Sequence, residues 1–423
     1  MALVAGQDVY SSLEIAPLES HQEVEGYVGR YKRVPMVQDN MELKYQVAAE
    51  SPEITSLGGV TTLEMTAGLW RGSFRTLIYY NALWFHRLMC QLMGGQESVF
   101  LNRMPNGVLT TTGDANTHWY IPQSFNMTAV GSENGAPYGL GIRLIKGGPT
   151  NTANDGHRID DCHVVSATFE FPETGWPTAT WEVIGKYGVT LSPGGFTPQA
   201  VEANRYVCKP GDIGRAPSHA TLPSLSTAGV VTGVRNIRSA RIVVKNGLDF
   251  GILPFANAID AHHRVGHEGK FEVDGTFTSL MQQSTLAVAT AGEVYEQWTS
   301  NLFTGDQVRL RAVSAPDGAT HSAQFPIAEQ TDDIPYAFDI FLPNASIREA
   351  NAPLSSPGTL NFDWAYKGFV GPIGTTATAS TVTNYKAPVV FQFFVNHSDP
   401  PTPGVNYNTN AGGGHLPHTD LVV

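Results

Sequence analysis

The sequence predicts a mainly β protein with two tandem β-sandwich or β-barrel domains, each flanked by one α-helix, and with extended arms. Three observations lead to this prediction. From Tyr31 onward the chain consists mostly of short alternating apolar and polar runs, separated by Gly, Pro, Asn and Thr, which is typical of strands and turns. Two segments have helical spacing instead, and one Gly–Trp–Gly motif occurs in each half.

The composition limits the functions available to the chain. It has 423 residues, of which only 15% are charged, and its formal net charge is −12. Ordinary soluble domains carry about 25% charged residues, so a surface this poor in charge is typical of one covered by other protein. We therefore expect self-assembly. The negative charge argues against tight binding of nucleic-acid phosphates, which requires clustered Lys and Arg.

The two helical segments each lie between strand-rich stretches. The first runs from Asn81 to Gly95 and the second from Glu293 to Leu302, and both repeat large apolar residues every four positions. Asn81 can cap the first helix and Gly94 can end it. The positions that we expect to pack these flanking helices at subunit contacts are Trp84, Leu88, Leu92, Val294, Trp298 and Leu302. Trp84, Phe85, Met89 and Met93 could form part of a cofactor site, but at helical spacing such side chains are more often core, and we interpret them so.

An internal repeat supports the division into two domains. The motif Gly-x5-Trp-x3-Gly occurs at residues 175–185 and again at 358–368, each time after an alternating strand. A Pro-rich, strand-poor stretch separates the two halves. The expected organisation is an N-terminal arm at 1–30, a first domain at 31–190, a linker at 191–236, a second domain at 237–395 and a C-terminal tail at 396–423.

The cysteines and the N-terminus indicate the cytoplasm as the compartment of folding. The three cysteines are far apart and lack the paired spacing of a zinc or redox site, so we expect buried, reduced thiols. The N-terminus has no basic segment followed by an apolar core, and no stretch approaches the length of a membrane span. We therefore expect neither a secretion signal nor a membrane partner.

A histidine-rich cluster is the first candidate for chemistry. His263 and His267 are four residues apart, a spacing that suits a metal site on a helix. Gly266 and Gly269 disfavour a helix there, and the second histidine of a zinc-peptidase motif is missing. We interpret Asp260–Glu268 as a solvated or subunit-contacting loop.

The remaining polar clusters favour structure over catalysis. Cys162 and His163 could supply a nucleophile and a base, but neighbours on a strand point to opposite faces. The paired carboxylates Asp160–Asp161 and Asp332–Asp333 lie among turn-forming residues and predict solvated turns. No phosphate-binding glycine loop is present. We therefore predict no enzyme, no cofactor and no metal, although a hydrolase whose residues converge from distant positions stays open.

Several stretches together resemble the tail tube, or major tail, proteins of long-tailed bacteriophages, of the type with two tandem tube domains. In the first half the matching stretches are Gly68–Gly72, Leu83–Gly95, Thr117–Ile121 and His157–Gly188. In the second half they are Lys270–Phe277, Glu293–Ala312 and Tyr336–Gly368. The resemblance covers roughly residues 30 to 395.

The resemblance implies a structural subunit of the virion tail, assembled in the host cytoplasm. Six tube domains make a ring in this family, so a tandem chain would form homotrimeric rings that stack into a hollow tube. Edge strands of neighbouring domains would pair within a ring. The family's further partners are the tail tip, tape-measure and terminator proteins. DNA would pass through the lumen without specific binding, and an acidic, net-negative lumen would repel its phosphates.

Ring stacking requires projecting loops, and the sequence offers two. The segment from Gly247 to Gly269 connects two strand candidates and exceeds an ordinary hairpin loop, and its counterpart in the first half is about Gln46 to Gly59. The residues expected to contact the adjacent ring are Phe250, Ile252, Leu253, Phe255, Ile259, His262 and His263. The alternative function is another β-rich virion component, such as a capsid-decorating protein or a receptor-binding adhesin.

Overall fold

In the computed structural model, the described part of the chain is mainly antiparallel β-structure. The described residues are 12–17, 31–37, 42–47, 50–54, 60–65, 68–93, 97–99, 115–120, 132–133, 136–137, 139–146, 155–185, 187–191, 201, 206–215, 224–225, 231–232, 237–252, 263–268, 271–280, 306–313, 337–351, 361–369 and 388–396. None of the helices in these ranges is long and apolar enough to cross a membrane.

The elements up to residue 191 include the first predicted helix. In chain order they are β1 (Ser12–Pro17), β2 (Lys32–Val34), β3 (Glu42–Val47), β4 (Glu50–Ile54), β5 (Val60–Met65), β6 (Gly68–Leu77), α1 (Leu83–Met93), β7 (Glu97–Val99), β8 (Ala115–Tyr120), β9 (Ser132–Glu133), β10 (Ala136–Pro137), β11 (Leu140–Lys146), β12 (Asp155–Phe171), β13 (Thr178–Gly185) and β14 (Tyr187–Leu191). The predicted helix from Asn81 to Gly95 is thus confirmed as α1.

The elements after residue 191 begin with short pieces in the expected linker. They are α2 (Asp212–Arg215), β15 (Ser224–Leu225), β16 (Val231–Thr232), β17 (Ile237–Lys245), β18 (Leu248–Ile252), β19 (His263–Glu268), β20 (Glu272–Leu280), β21 (Asp306–Val313), β22 (Ala337–Asn351), β23 (Asn361–Gly368) and β24 (Val390–Asn396). The second predicted helix, at residues 293–302, lies outside the described residues.

Two sets of strands share one pairing order. The first set runs β3-β6-β13-β12, and β12 also pairs with β11 and β14. The second set runs β17-β20-β23-β22, and β22 also pairs with β21 and β24. In both sets the N-terminal half of the long strand therefore pairs with one group of strands and its C-terminal half with another. The repeated motif of the sequence thus reflects a repeated strand topology.

The two sets also agree in register. Trp181 of β13 lies opposite Phe74, and Trp364 of β23 lies opposite Phe277. The long strand of each set carries one extra residue facing its hairpin partner, between 164 and 166 in β12 and between 347 and 349 in β22. A β-bulge at the same place in both sets increases the local twist there in the same way.

Close packing explains the last glycine of the repeated motif. A Cβ atom at Gly185 would lie 2.4 Å from Ile159 Cγ2, and one at Gly368 would lie 2.5 Å from the Pro388 carbonyl oxygen. Any side chain at either position would therefore force neighbouring atoms apart. The first glycine has a different reason, because Gly175 has a φ of 121°, which only glycine adopts at little cost.

One ladder joins the two sets into a continuous path of eight strands. Residues Ser166–Phe171 of β12 pair antiparallel with Ala240–Lys245 of β17, giving the order β3-β6-β13-β12-β17-β20-β23-β22. Aromatic contacts cross the same junction. The ring centroids of Phe169 and Phe391 are 5.1 Å apart, and those of Phe171 and Phe338 are 5.9 Å apart. The two sets therefore share one hydrophobic core.

Helix α1 lies inside this core. Trp84, Phe85, Met89 and Met93 are almost completely buried, which confirms the interpretation of these residues as core. Phe85 packs edge-on against Trp181, with ring centroids 5.3 Å apart. This contact fixes α1 against the side of the eight-strand path that carries Trp181.

Parts of the expected arm and linker also pack onto the first set. In the arm, β1 pairs with β11 and β2. In the linker, the Cys208 backbone N–H donates to the Ile78 carbonyl over 2.8 Å, and the Tyr206 N–H donates to the Asn81 side-chain oxygen, also over 2.8 Å. Both segments therefore have fixed positions where the structure describes them.

The prediction of a solvated turn at Asp160–Asp161 is wrong. Both side chains are buried within β12, and Asp161 has a φ of 53°, at the point where β12 passes from one sheet to the other. The Asp161 carboxylate accepts a hydrogen bond from the Gly139 N–H and contacts His163, each at 2.9 Å. One of these partners, Gly139, lies 22 residues away in sequence, so the local pattern around Asp161 did not reveal its burial. The second pair, Asp332–Asp333, lies outside the described residues.

Candidate functional site

The two ends of the eight-strand path are the first candidate interaction surface. Among the described strands, β3 pairs only with β6, and residues 346–351 of β22 pair only with β23. Each end thus presents one strand edge to which no described strand is hydrogen-bonded. Such edges are templates for pairing with another chain.

The strands at these two ends correspond in register to the strands that pair at the junction inside the chain. By the shared register, Glu349–Asn351 of β22 correspond to Ser166–Thr168 of β12. Similarly, Lys44–Gln46 of β3 correspond to Val243–Lys245 of β17. Because β12 pairs with β17 within the chain, the strands at the two free ends are counterparts of strands that already pair.

The second candidate surface is the solvent-facing side of this path. Side chains on one side, such as Trp181, Phe277 and Trp364, are buried, whereas most of those on the other side are half-buried or exposed. The described cations of the exposed side are Arg71, Arg75, Arg241, Lys245, Arg348 and Lys367. The described carboxylates of the same side are Glu170, Glu182, Glu272, Asp274, Glu349 and Asp363. The described charges of this side therefore balance.

Most of these cations lie beside a carboxylate. Glu170 contacts two of them, with 2.8 Å between its Oε2 and an Arg75 guanidinium nitrogen and 3.6 Å between its Oε1 and Arg241 Nε. Two further pairs, Arg348–Asp274 at 3.8 Å and Lys367–Glu272 at 3.7 Å, lie within the second set. Cations held this way have less charge to offer to an external anion.

The exposed side is concave at the junction of the two sets. An open groove of about 500 Å³ is bordered there by side chains from six strands, β6, β12, β17, β20, β23 and β22. Glu170, Arg75 and Arg241 form part of its wall, together with the carboxylates Glu349 and Asp363. A sheet that brings side chains of six strands to one groove curves around that side.

The segments predicted as stacking loops overlap with two hairpins. The interpretation of Asp260–Glu268 as a loop is wrong for its last six residues, because His263–Glu268 form strand β19, whose partner β18 lies outside that segment. Strands β4 and β5 form an antiparallel hairpin that lies between β3 and β6 in the sequence. Strands β18 and β19 form another, between β17 and β20 in the sequence. Phe250 and Ile252 lie on β18 opposite Val265 and His263 of β19. The remaining predicted loop residues, Leu253, Phe255, Ile259 and His262, lie outside the described residues.

The residues of the first helix that we expect at subunit contacts are buried inside a single chain. Trp84, Leu88 and Leu92 are completely buried, so their described contacts stabilise the position of α1. The corresponding residues of the second helix, Val294, Trp298 and Leu302, lie outside the described part of the chain.

Buried polar groups beside α1 form a structural cluster. His86 Nε2 donates to the Tyr80 carbonyl over 2.8 Å, and its Nδ1 accepts from the Tyr120 hydroxyl. Burial lowers the pKa of His86 to about 3. The Tyr80 hydroxyl donates to Asp212 over 2.9 Å. This connects the helix region to the linker.

The buried thiols are not activated. Burial, with a smaller contribution from the nearby Asp212 carboxylate, raises the pKa of Cys208. Burial likewise raises the pKa of Cys162, and Asp160 and Asp161 add to the effect. A reactive cysteine requires a lowered thiol pKa, so neither is suited to act as a nucleophile. Among the described side chains, no group of three or more His, Cys, Asp or Glu residues is arranged to hold a metal.

The model of the family described as phage tail tube protein matches residues 58–323, which is more than half of the chain. The chain belongs to the phage tail tube protein family. It is therefore a structural protein of the virion tail, and its mainly β architecture agrees with this assignment. No curated protein sequence matches this tail tube protein.

Sequence reasoning missed the pairing of Glu170 with Arg241 and the balanced charges of the concave side. The alternation of polar residues along β12 and β17 did indicate that one side of each strand is exposed. It could not indicate which strands are neighbours, because residues 170 and 241 meet only through the β12·β17 ladder.

Proposed function

We propose that three copies of this tail tube protein close a ring in which β22 of each copy pairs with β3 of the next. The chain would then comprise two tube domains at about 31–190 and 237–395, so that a trimer supplies six. The β12·β17 ladder carries this proposal, because it joins two strand sets of the same order within one chain. Repeating that junction between chains continues the path.

We derive the proposed pairing between copies from the shared register. Within the chain, Ser166, Ala167 and Thr168 lie opposite Lys245, Val244 and Val243. Replacing each residue by its counterpart places Glu349 opposite Gln46, Ala350 opposite Tyr45, and Asn351 opposite Lys44 of the next copy. Backbone groups at both edges, to which no described strand of the same chain is hydrogen-bonded, would be hydrogen-bonded there.

The dimensions of such a ring suit its function. Three paths of eight strands make a barrel of 24 strands. With strands ~4.8 Å apart and tilted by ~40°, the barrel would be roughly 45–50 Å across at the backbone. Side chains of ~5 Å on each side would leave an opening of roughly 35–40 Å. This opening exceeds the width of duplex DNA, which is about 20 Å.

The concave side would line this channel and conduct the genome. Its curvature supports this orientation, because the described groove opens on the side that closure of the sheet would enclose. The described side chains of this side carry balanced charge, so a net-negative lumen would require acidic residues from other parts of the chain. We propose that DNA passes without specific binding, and that the tail tip, tape-measure and terminator proteins contact the tube at its ends and interior.

The two hairpins would make the contacts between stacked rings. Strands β4·β5 and β18·β19 are inserted at equivalent places, between β3 and β6 and between β17 and β20. In the second hairpin we propose Phe250, Ile252, Leu253, Phe255 and Ile259 as apolar anchors, with His262 and His263 beside them. Deleting residues 250–265 should abolish stacking, and unchanged tubes by electron microscopy would refute this role.

Cysteine cross-linking tests the pairing between copies. The double variant Lys44→Cys/Asn351→Cys places both thiols at one proposed pair, and oxidation of the assembled protein should give covalent dimers and trimers on a non-reducing gel. The double variant Val243→Cys/Thr168→Cys is the matched internal control, because these residues lie opposite each other within one chain. It should give only an internal bond.

A variant shifted by one residue shows whether the register is correct. Tyr45→Cys/Asn351→Cys places the two thiols on opposite sides of the sheet and should cross-link far less. Equal yields from the two intermolecular pairs, or no intermolecular bond in assembled protein, would contradict the proposed ring closure.

A further inference from the structure

The groove at the junction of the two strand sets contains one carboxylate that holds two arginines. Arg75 lies on β6 of the first set and Arg241 on β17 of the second. Glu170, on β12 between them, faces Arg241 directly in the ladder. Its two oxygens are divided between the arginines, at 2.8 Å from Arg75 and 3.6 Å from Arg241.

A further contact fixes Arg75 in this arrangement. Its Nε and one terminal nitrogen donate to the Thr178 hydroxyl over 3.0 and 2.9 Å, while the same terminal nitrogen donates to Glu170. The guanidinium therefore lies along the sheet surface. Arg75 and Glu170 are each more than one third exposed, and Arg241 is 55% exposed. An anion on the concave side could therefore reach both arginines.

We propose that Glu170 keeps Arg75 and Arg241 from binding the phosphates of DNA on the concave side. Without this carboxylate, the groove would present two adjacent guanidinium groups, and guanidinium is well suited to bind phosphate. With it, each arginine already has a carboxylate partner. This inference rests on the proposed function, because it assumes that the concave side faces the genome.

The arrangement differs from simple repulsion by a negative surface. Repulsion depends on the total charge of the surface, so that removing any one carboxylate should have a similar effect. Pairing depends on which carboxylate is removed. Glu182 provides the comparison, because it is exposed on the same side and its carboxylate accepts a hydrogen bond from the Ser166 hydroxyl over 2.5 Å.

The test measures binding of a 20-base-pair fluorescent duplex to the unassembled full-length chain by anisotropy, between 25 and 150 mM salt. Glu170→Gln should bind at least tenfold more tightly than wild type at the lowest salt. Two freed arginines should steepen the dependence of log affinity on log salt by about 2, since each phosphate contact contributes about 0.9. Glu182→Gln removes the same charge and should change the affinity less than threefold.

Two additional variants complete the test. The triple variant Arg75→Gln/Glu170→Gln/Arg241→Gln should lose the affinity for DNA that Glu170→Gln gains. Glu170→Ala also removes the carboxylate and should show the same gain; it replaces Glu170→Gln if that variant does not fold. Equal affinities for Glu170→Gln and Glu182→Gln, or a gain that persists in the triple variant, would overturn the proposal. Electron microscopy of the wild type tests the tube separately, so tubes without the affinity gain refute only the role of Glu170.

Discussion

Acid should destabilise this protein through His86. Its imidazole is buried and held between the Tyr80 carbonyl and the Tyr120 hydroxyl, and its pKa is lowered from 6.5 to about 3. Below pH 6.5 the unfolded chain binds a proton that the folded chain does not. The stability from the neutral ring is therefore complete above pH 6.5 and is lost progressively as the pH falls toward 3.

The size of the effect follows from these two pKa values. Between pH 7 and pH 5, His86 alone should lower the free energy of unfolding by about 2 kcal/mol, as the pKa of about 3 keeps the folded ring neutral throughout this range. Urea unfolding at both pH values, followed by tryptophan fluorescence, measures the loss. Tryptophan fluorescence suits the purpose because Trp84 and Trp181 are buried beside this region.

Substitutions separate His86 from the other titrating groups. His86→Gln should reduce the loss between pH 7 and pH 5 by about 2 kcal/mol, whatever it costs at pH 7. Tyr120→Phe removes the neighbouring hydroxyl but keeps the buried ring, so it should retain the loss. If His86→Gln and wild type lose the same stability on acidification, burial of a neutral His86 is not the cause.

Two further substitutions test packing and the docked linker. Gly368→Ala should destabilise the protein by about 1–3 kcal/mol through overpacking, because its Cβ would lie 2.5 Å from the Pro388 carbonyl oxygen; an unchanged melting temperature would contradict this. Asp212→Ala should speed proteolysis of residues 206–215, as it leaves the Tyr80 hydroxyl and the Lys209 N–H without the carboxylate that accepts both hydrogen bonds. Equal cleavage rates for variant and wild type would show that this contact does not hold the linker.

Local patterns were sufficient to predict α1 and the equivalent strands of the two halves, but not which strands are neighbours. The four-residue spacing of Trp84, Leu88 and Leu92 identified α1, because one buried stripe determines a helix. The repeated Gly–Trp–Gly motif marked equivalent strands, because burial of the tryptophan and close packing at the last glycine are local requirements of each copy.

Features that depend on pairing between distant strands were not predictable in this way. The burial of Asp161 depends on Gly139, and the two arginines beside Glu170 come from strands 95 and 71 positions away in sequence. Register between such strands depends on bulges and connection lengths, which an alternating pattern does not specify. From the sequence, the concave side with Glu170 and its two arginines was therefore recognisable only as strands with one exposed side.

The two bulges explain why the β12·β17 junction within the chain is a suitable model for the proposed β22·β3 junction between copies. A slip of one residue between paired strands would exchange the buried and exposed sides of the sheet. The extra residue lies just before the pairing segment in both long strands, at Val165 in β12 and at Arg348 in β22. Because a bulge sets the local twist, both segments leave their sheets in the same orientation. With β3 presenting the same edge as β17, a register between copies that is shifted by an odd number of residues would interrupt the concave side, whereas the register of the internal β12·β17 junction keeps it continuous.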